Sequence, residues 1–451
     1  MDIKKILHFA DDLVFDHTGK HLDKTQQLII EGVWQNNSYQ EIADKCYLSE
    51  SRVRNIGSQL LKILSESLGE DINKNNFCWT LERVVNNHNH LVSLGNNNNI
   101  NYCPNHSKES SDKLEDNIIN QSTYHDLTLA SQIIKFYNRE TELTTLSNWI
   151  FNQNIRLISI LGLSGIGKSY LVKRFIDLNL DQFEVIIWKS LKYPQSLDSL
   201  INDFLKLCQQ ESKENIQAKL KQLFNIFTHK KCLIILDDVQ NLFIRGKFAG
   251  QYQSEYQDYQ NFFKMITETN HQSNIILISQ EKCTEMECLD EELYSINCLK
   301  LSGLFEIELL KNWGLKDEDS WLDLINLYEG NLFYLKSVAL LINNNYDGEV
   351  GDFLVENTLL ITNQMQCHFR EIFNHLSPPE QEIVLQLSKV EQPITRENLR
   401  QSLNLSSVDF NNGLQSLQNR YLIKKIKEDK ISFKLSPIFQ EYVRNFHTNS
   451  C

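Results

Sequence analysis

One stretch constrains this chain before any other. Residues Ile155 to Ile176 read IRLISILGLSGIGKSYLVKRFI: a short β-branched and leucine-rich run, a glycine-rich turn, and an amphipathic segment opening at Lys168. Gly162, Gly167, Lys168 and Ser169 satisfy the phosphate-loop spacing G-x-x-x-x-G-K-[ST], and the predicted strand before and helix after supply the context that pattern needs. Gly162, Gly165 and Gly167 free the backbone for conformations closed to side chains, so that loop N–H groups and the helix N-terminus point at phosphate oxygens. The set expected to hold the phosphates is therefore Gly162, Gly165, Ile166, Gly167, Lys168, Ser169 and Tyr170. Lys168 brings a point charge to the β- and γ-phosphates, and the Ser169 hydroxyl is a candidate Mg²⁺ ligand.

Such a site needs a carboxylate at the end of a neighbouring buried strand. Cys232 to Val239 read CLIILDDV, a continuous apolar run of the kind found in parallel strands buried on both faces. Asp237 is the expected second Mg²⁺ ligand, and Asp238 the residue that orients an attacking water. Lys168, Asp237 and Asp238 form the candidate catalytic set, with ATP or ADP and Mg²⁺ as the implied cofactors.

At 451 residues the chain is too long for one core, and three or four domains are expected. The formal net charge of -13 argues against a broad nucleic-acid surface while leaving a local basic patch possible. No stretch approaches the roughly 18 consecutive apolar residues of a membrane span. The opening MDIKKILHFADD has its apolar run broken by His8 and stopped by Asp11 and Asp12, so neither a signal peptide nor a span is expected. The ten cysteines include no C-x-x-C pair, which reads as reduced thiols in a cytoplasmic protein.

From Leu22 the pattern becomes a run of short helices with Ser38 and Ser49 at N-cap positions and Glu41 completing a capping box. The order is that of a helix-turn-helix with Glu50 to Ser65 in the recognition position, where Arg52 and Arg54 would face a groove. Residues 1 to 90 nevertheless carry ten Lys and Arg against thirteen Asp and Glu. That balance favours a protein-contact module over a DNA reader. The wording DDLVF, TGKHL, EIAD and VRNIGSQLLKILSESLGE resembles the N-terminal helical domain of bacterial vWA-MoxR-associated proteins, which implies an adaptor role for residues 1–85. Residues 86–130 are Asn-rich and polar, as expected of a flexible linker. His88, His90, Cys103 and His106 within it have a spacing that zinc can use, but solvated side chains are the simpler account.

Order returns at FYNRETELTTLSNWI. With the strands EVIIWKS and NIILIS and the helices between them, residues 131–302 read as a parallel sheet covered on both sides. The loop from Asn241 to Tyr259 is longer than most connections, a mark of function. Residues 303–365 read as helical, and 366–447 as helices plus a strand pair around Glu428 to Lys430, the order of a winged helix, with Lys424, Lys425, Lys427, Lys430 and Lys434 making the wing basic. The fold class is thus multidomain α/β plus α: helix-turn-helix-like bundle, P-loop NTPase sheet, helical domain and winged helix.

Residues 136 to 446 resemble the NB-ARC core of STAND-class NTPases. The resemblance makes Arg139, after Asn138 in the usual glycine position, a nucleotide contact. It also places Gln280 where an arginine senses the γ-phosphate, Leu332 where a proline meets adenine, and Leu435, Ser436 and Pro437 where a Met-His-Asp triplet holds ADP. Glutamine cannot neutralise a phosphate, so any ATPase activity should be slow. The implied function is a signalling switch, closed with ADP and open with ATP, whose open form oligomerises with itself and presents residues 1–85 to an effector. An ATP-dependent transcription regulator binding DNA through the helix-turn-helix is the alternative.

Overall fold

The computed structural model describes residues 3–18, 20–34, 37–46, 48–68, 77, 123–355, 359–427 and 430–447. The chain divides into two units, residues 1–116 and 117–451. In the first, helices α1 (Ile3–Thr18), α2 (Lys24–Trp34), α3 (Tyr39–Cys46) and α4 (Glu50–Leu68) enclose a core that includes Ile6, Val14, Ile30, Ile42, Val53 and Leu64. The predicted capping box starts α3: Ser38 N–H donates to Glu41 Oε2 at 2.6 Å and Glu41 N–H to Ser38 Oγ at 3.2 Å. On α4, Arg52 is exposed, whereas Arg54 is turned back on its own unit, bonded to Glu50 at 2.6 Å and lying over the Tyr39 ring. Among the described residues no helix is long and apolar enough to cross a membrane.

The second unit is built on a sheet whose described strands run β1-β3-β4-β5-β2-β6, all pairs parallel. The strands are β1 (Tyr124–Asp126), β2 (Leu157–Leu161), β3 (Val185–Ser190), β4 (Cys232–Asp237), β5 (Asn274–Ser279) and β6 (Ile296–Lys300). Every residue of β2, β4 and β5 is buried, because helices cover both faces. Alternate side chains such as Leu233 and Ile235 enter one apolar cluster while Ile234 and Leu236 enter the other.

Two edge strands depart from the sequence expectation. Tyr124–Asp126 falls in the stretch read as linker, yet it pairs with Val185, Ile186 and Ile187. Ile296–Lys300 pairs with β2. Both are short and only partly buried, so neither carries a strong apolar run. His88, His90, Cys103 and His106 lie outside the described residues.

Beyond the sheet, one apolar cluster runs from Leu310 to Val443, so residues 303–365 and 366–447 share a core. The expected boundary falls inside the helix Asn363–His375, which starts at Thr362, whose side chain accepts from Met365 N–H at 3.3 Å. The helix Pro378–Ser388 opens on a capping box between Ser377 and Glu380. A small antiparallel sheet then runs β7 (Ile394–Thr395), β9 (Ile431–Leu435), β8 (Ile423–Lys427). The long loop after β4 has a structural task. Gly246 N–H donates to His375 O at 3.0 Å and Ala249 N–H to Ser416 Oγ at 2.7 Å, so this loop carries the C-terminal part of the unit.

Candidate functional site

Because β5 lies between β4 and β2, the C-terminal ends of these strands bring Asp237, Gln280 and the glycine-rich loop side by side, the place where open α/β sheets bind ligands. Gly167, at φ 100°, turns the loop into the helix Lys168–Leu178. Lys168 is buried, and its Nζ donates to the carbonyls of Gly162 and Leu163, each at 3.0 Å. Burial lowers its pKa to about 8, against the opposing pull of Asp237 and Asp238. Burial likewise raises Asp237 to about 6, helped by Asp238, while the Ser169 hydroxyl, the Asp238 N–H and Lys168 work the other way.

The Ser169 hydroxyl lies near enough to Asp237 to hold its pKa down, so the two side chains expected at the metal are neighbours. A hydroxyl and a carboxylate, both hard oxygen donors, suit Mg²⁺, and a buried carboxylate already partly starved of countercharge suits it further. Asp238 sits at φ 62°, its N–H on Asp237 Oδ1 at 2.9 Å and its Oδ1 accepting from Gln240 Nε2 at 2.9 Å. Gln240 Oε1 in turn accepts from the Gln280 N–H at 3.2 Å, so the two acidic residues and the end of β5 form one bonded chain. Ile166 is buried, and the Tyr170 ring on the first helical turn is 43% exposed.

Arg139 meets the loop by its backbone. The guanidinium, 8% exposed, donates to Ile166 O at 3.2 Å, to Ser302 O at 2.7 Å and to Glu142 Oε1 at 2.7 Å. It braces the loop against the exit of the sheet. Asn138 and Arg139 have φ of 46° and 82°, a conformation asparagine tolerates better than most residues, which accounts for asparagine in the glycine position.

Sequence reasoning missed the residues that press on the loop from beyond the sheet. Asn331, 1% exposed, caps the helix Leu332–Asn345 by accepting from Phe333 N–H at 3.0 Å and donates Nδ2 to Ser164 O at 2.9 Å. The available signal was an N-cap asparagine directly after Gly330, although a cap alone does not reveal its second bond. A Cβ on Gly165, at φ +75°, would lie 2.3 Å from Phe333 Cβ. Gly165→Ala should therefore cost about 1–3 kcal/mol from backbone strain plus a forced shift of Phe333, read as a lower urea midpoint at unchanged m-value. Ser436, in the place of the triplet, bonds Glu329, which Lys424 also reaches at 2.9 Å.

Arg420 ties the C-terminal part to the sheet. Its guanidinium donates to Glu380 Oε1 at 3.0 Å, to Lys247 O at 2.8 Å and to Glu281, the residue after Gln280.

Residues 139–300 match the family model of the NB-ARC domain, and residues 1–84 that of the vWA-MoxR associated protein N-terminal HTH. This chain carries an NB-ARC domain. It is 29% identical over 360 residues to an uncharacterised WD repeat-containing protein of Nostoc sp. strain PCC 7120, an alignment covering 75% of this chain and 28% of that protein. Over 255 residues it is 24% identical to the disease resistance protein RPP2A of Arabidopsis thaliana, covering 54% and 18% of the two. It thus spans under a third of the length of these curated relatives. A Walker-type ATPase of Pyrococcus abyssi is similar at 16% identity and a TM-score of 0.49, covering 68% of this chain and 96% of that one.

Proposed function

We propose that this protein is a nucleotide-operated signalling switch. The observation that carries the reading is that the phosphate loop of the NB-ARC domain is itself bonded to the helical part of the unit, through Asn331 on Ser164. A change in loop occupancy is therefore felt directly by the helix Leu332–Asn345. Gly162 to Ser169 with Asp237 would hold the phosphate tail and Mg²⁺, and the metal would neutralise phosphate charge when bound. ADP favours the closed arrangement, with Arg420 on Glu281, and ATP an open one in which that pair has parted. Moving such a switch from mostly off to mostly on takes a difference of about 5.5 kcal/mol between nucleotides. We read residues 366–447 as a winged-helix lid. The open form assembles with further copies of itself, and residues 1–85 recruit an effector protein. The match to a plant disease resistance protein supports a signalling role. With Gln280 in the sensing position, turnover is slow.

The test is the nucleotide retained on the purified full chain, followed by titration with MgADP and MgATP. Wild type should bind both and melt several degrees higher with either. Lys168→Ala, which removes the ammonium facing the loop carbonyls, should lose at least tenfold in affinity for each. Indifference of the wild-type protein to adenine nucleotides would sink the reading.

A further inference from the structure

Two residues past Asp238 stands Gln240, a side chain that no sequence motif marks. It lies on the short 3-10 turn Val239–Leu242, whose end residues Val239 and Leu242 are buried. Asn241 N–H donates to Asp238 O at 3.0 Å and Phe243 N–H to Gln240 O at 3.2 Å, so the backbone beneath the amide is fixed. From that base the amide reaches in two directions. Its Nε2 donates to Asp238 Oδ1 at 2.9 Å, and its Oε1 accepts from Gln280 N–H at 3.2 Å. The two ends cannot be exchanged, because an ionised carboxylate only accepts and a backbone N–H only donates.

The carboxylate held in this way has no other anchor of its own. Asp238 sits at φ 62°, and its N–H is bonded to Asp237 Oδ1 at 2.9 Å. These features fix its main chain and leave the side chain to be set separately. Among the described residues the Gln240 amide is the one hydrogen-bond donor on this carboxylate, and Oδ2 has none. The Lys168 ammonium feels the charges of Asp237 and Asp238, so the carboxylate belongs to the same end of the sheet as the phosphate loop.

We propose that Gln240 is a positioning residue for ATP hydrolysis, fixing the Asp238 carboxylate through Oδ1 so that Oδ2 is aimed to take the proton of the attacking water. The inference rests on the nucleotide-switch reading and adds to it what sets the lifetime of the ATP-bound state. In the step served, a bond forms between the water oxygen and the terminal phosphorus. The bond from that phosphorus to the bridging oxygen breaks, ADP leaves with the electron pair, and the water proton passes to Oδ2 and on to solvent. Gln240 makes and breaks none of these bonds; it keeps the proton acceptor in one orientation, and misplacing such a group slows a reaction without weakening binding.

The experiment follows phosphate release by the full chain in single turnover, with protein in excess of MgATP, beside calorimetric affinities for MgATP and MgADP. Gln240→Met keeps the length of the side chain and removes both bonds. Gln240→Glu keeps its shape and the acceptor for Gln280 N–H, but at about pH 7.5 it offers Asp238 a second carboxylate in place of a donor. Both variants should hydrolyse about tenfold more slowly, the size of one hydrogen bond to a charged group, with nucleotide affinities within about twofold of wild type. Asp238→Asn should be slow by itself, and Gln240→Met added to it should cost nothing further, because the carboxylate to be held is already gone. Melting of each variant without nucleotide separates the effect from a folding defect, and the glutamate variant decides if the methionine variant does not fold. Wild-type hydrolysis in Gln240→Glu would overturn the proposal, since packing and the bond to Gln280 would then suffice. So would a full further loss in the double variant, or a wild type that holds MgATP and releases no phosphate. A wild type that binds no adenine nucleotide removes the switch and this role together, whereas binding with hydrolysis indifferent to Gln240 removes this role alone.

Discussion

Arg420→Ala is expected to destabilise the nucleotide-free protein by about 3–5 kcal/mol, the penalty for removing one partner of a buried ion pair. The side chain is 7% exposed, and its carboxylate partners Glu281 and Glu380 are 12% and 0% exposed. Loss of the guanidinium therefore strands two buried carboxylates. Burial already pushes Glu281 above its ordinary pKa, with Arg420 as the chief opposing influence and Glu380 adding to the push. The variant should be rescued in part by Glu281→Gln, because a neutral amide no longer needs the missing cation. A double-mutant cycle in guanidinium chloride measures that coupling, and additive effects of the two changes would refute a direct pairing. Arg420 also holds the Lys247 carbonyl, so the long loop after β4 should become protease-sensitive in the same variant.

Asp237→Asn should have opposite effects with and without ligand. Its folded-state pKa of about 6 lies above the ordinary 3.8, so the folded chain retains a proton that the unfolded chain has released between about pH 4 and 6. This group's contribution is intact below pH 4 and is lost as pH rises through about 6, a loss of about 3 kcal/mol. Asparagine does not ionise. The stability of the variant relative to wild type should therefore climb across that window and level off above pH 7. Part of the gain is offset by a weaker bond from the Asp238 N–H. The Mg²⁺-dependent stabilisation by nucleotide should meanwhile disappear, since the amide offers the metal no charge. Denaturation at pH 4, 5.5 and 7.5 checks the first expectation and melting with MgADP the second. A variant less stable than wild type at pH 7.5 without nucleotide would contradict the burial argument.

Both predictions show what can be read from the primary structure and what cannot. The loop from Gly162 to Ser169 is contiguous, and its chemistry is spelled by residue type and spacing alone. Asp237 was legible because a strand buried on both faces is a recognisable apolar run, and a carboxylate at its end has few structural reasons to exist. Arg139 was legible as a residue near the loop, but its bonds to the Ile166 and Ser302 carbonyls depend on chain paths that no local pattern encodes. Asn331 and Arg420 are more distant cases. Each bonds an element far away in sequence, so each looks like an ordinary cap or surface cation until the chain is folded. The edge strands β1 and β6 were missed for a related reason, since a strand with one neighbour needs little apolar character to pair. The boundary expected at residue 365 lies just inside the helix Asn363–His375, where the core shared by both sides leaves no shift in composition.

The small C-terminal sheet ends on β8, where Lys424, Lys425 and Lys427 are exposed along the free edge. Two such borders brought together would set rows of ammonium groups about 5 Å apart, and like charges facing each other across a ladder repel. Copies of this molecule are thereby prevented from zipping backbone to backbone at that rim. Uncharged residues substituted into this rim should be the quickest way to provoke unwanted fibres.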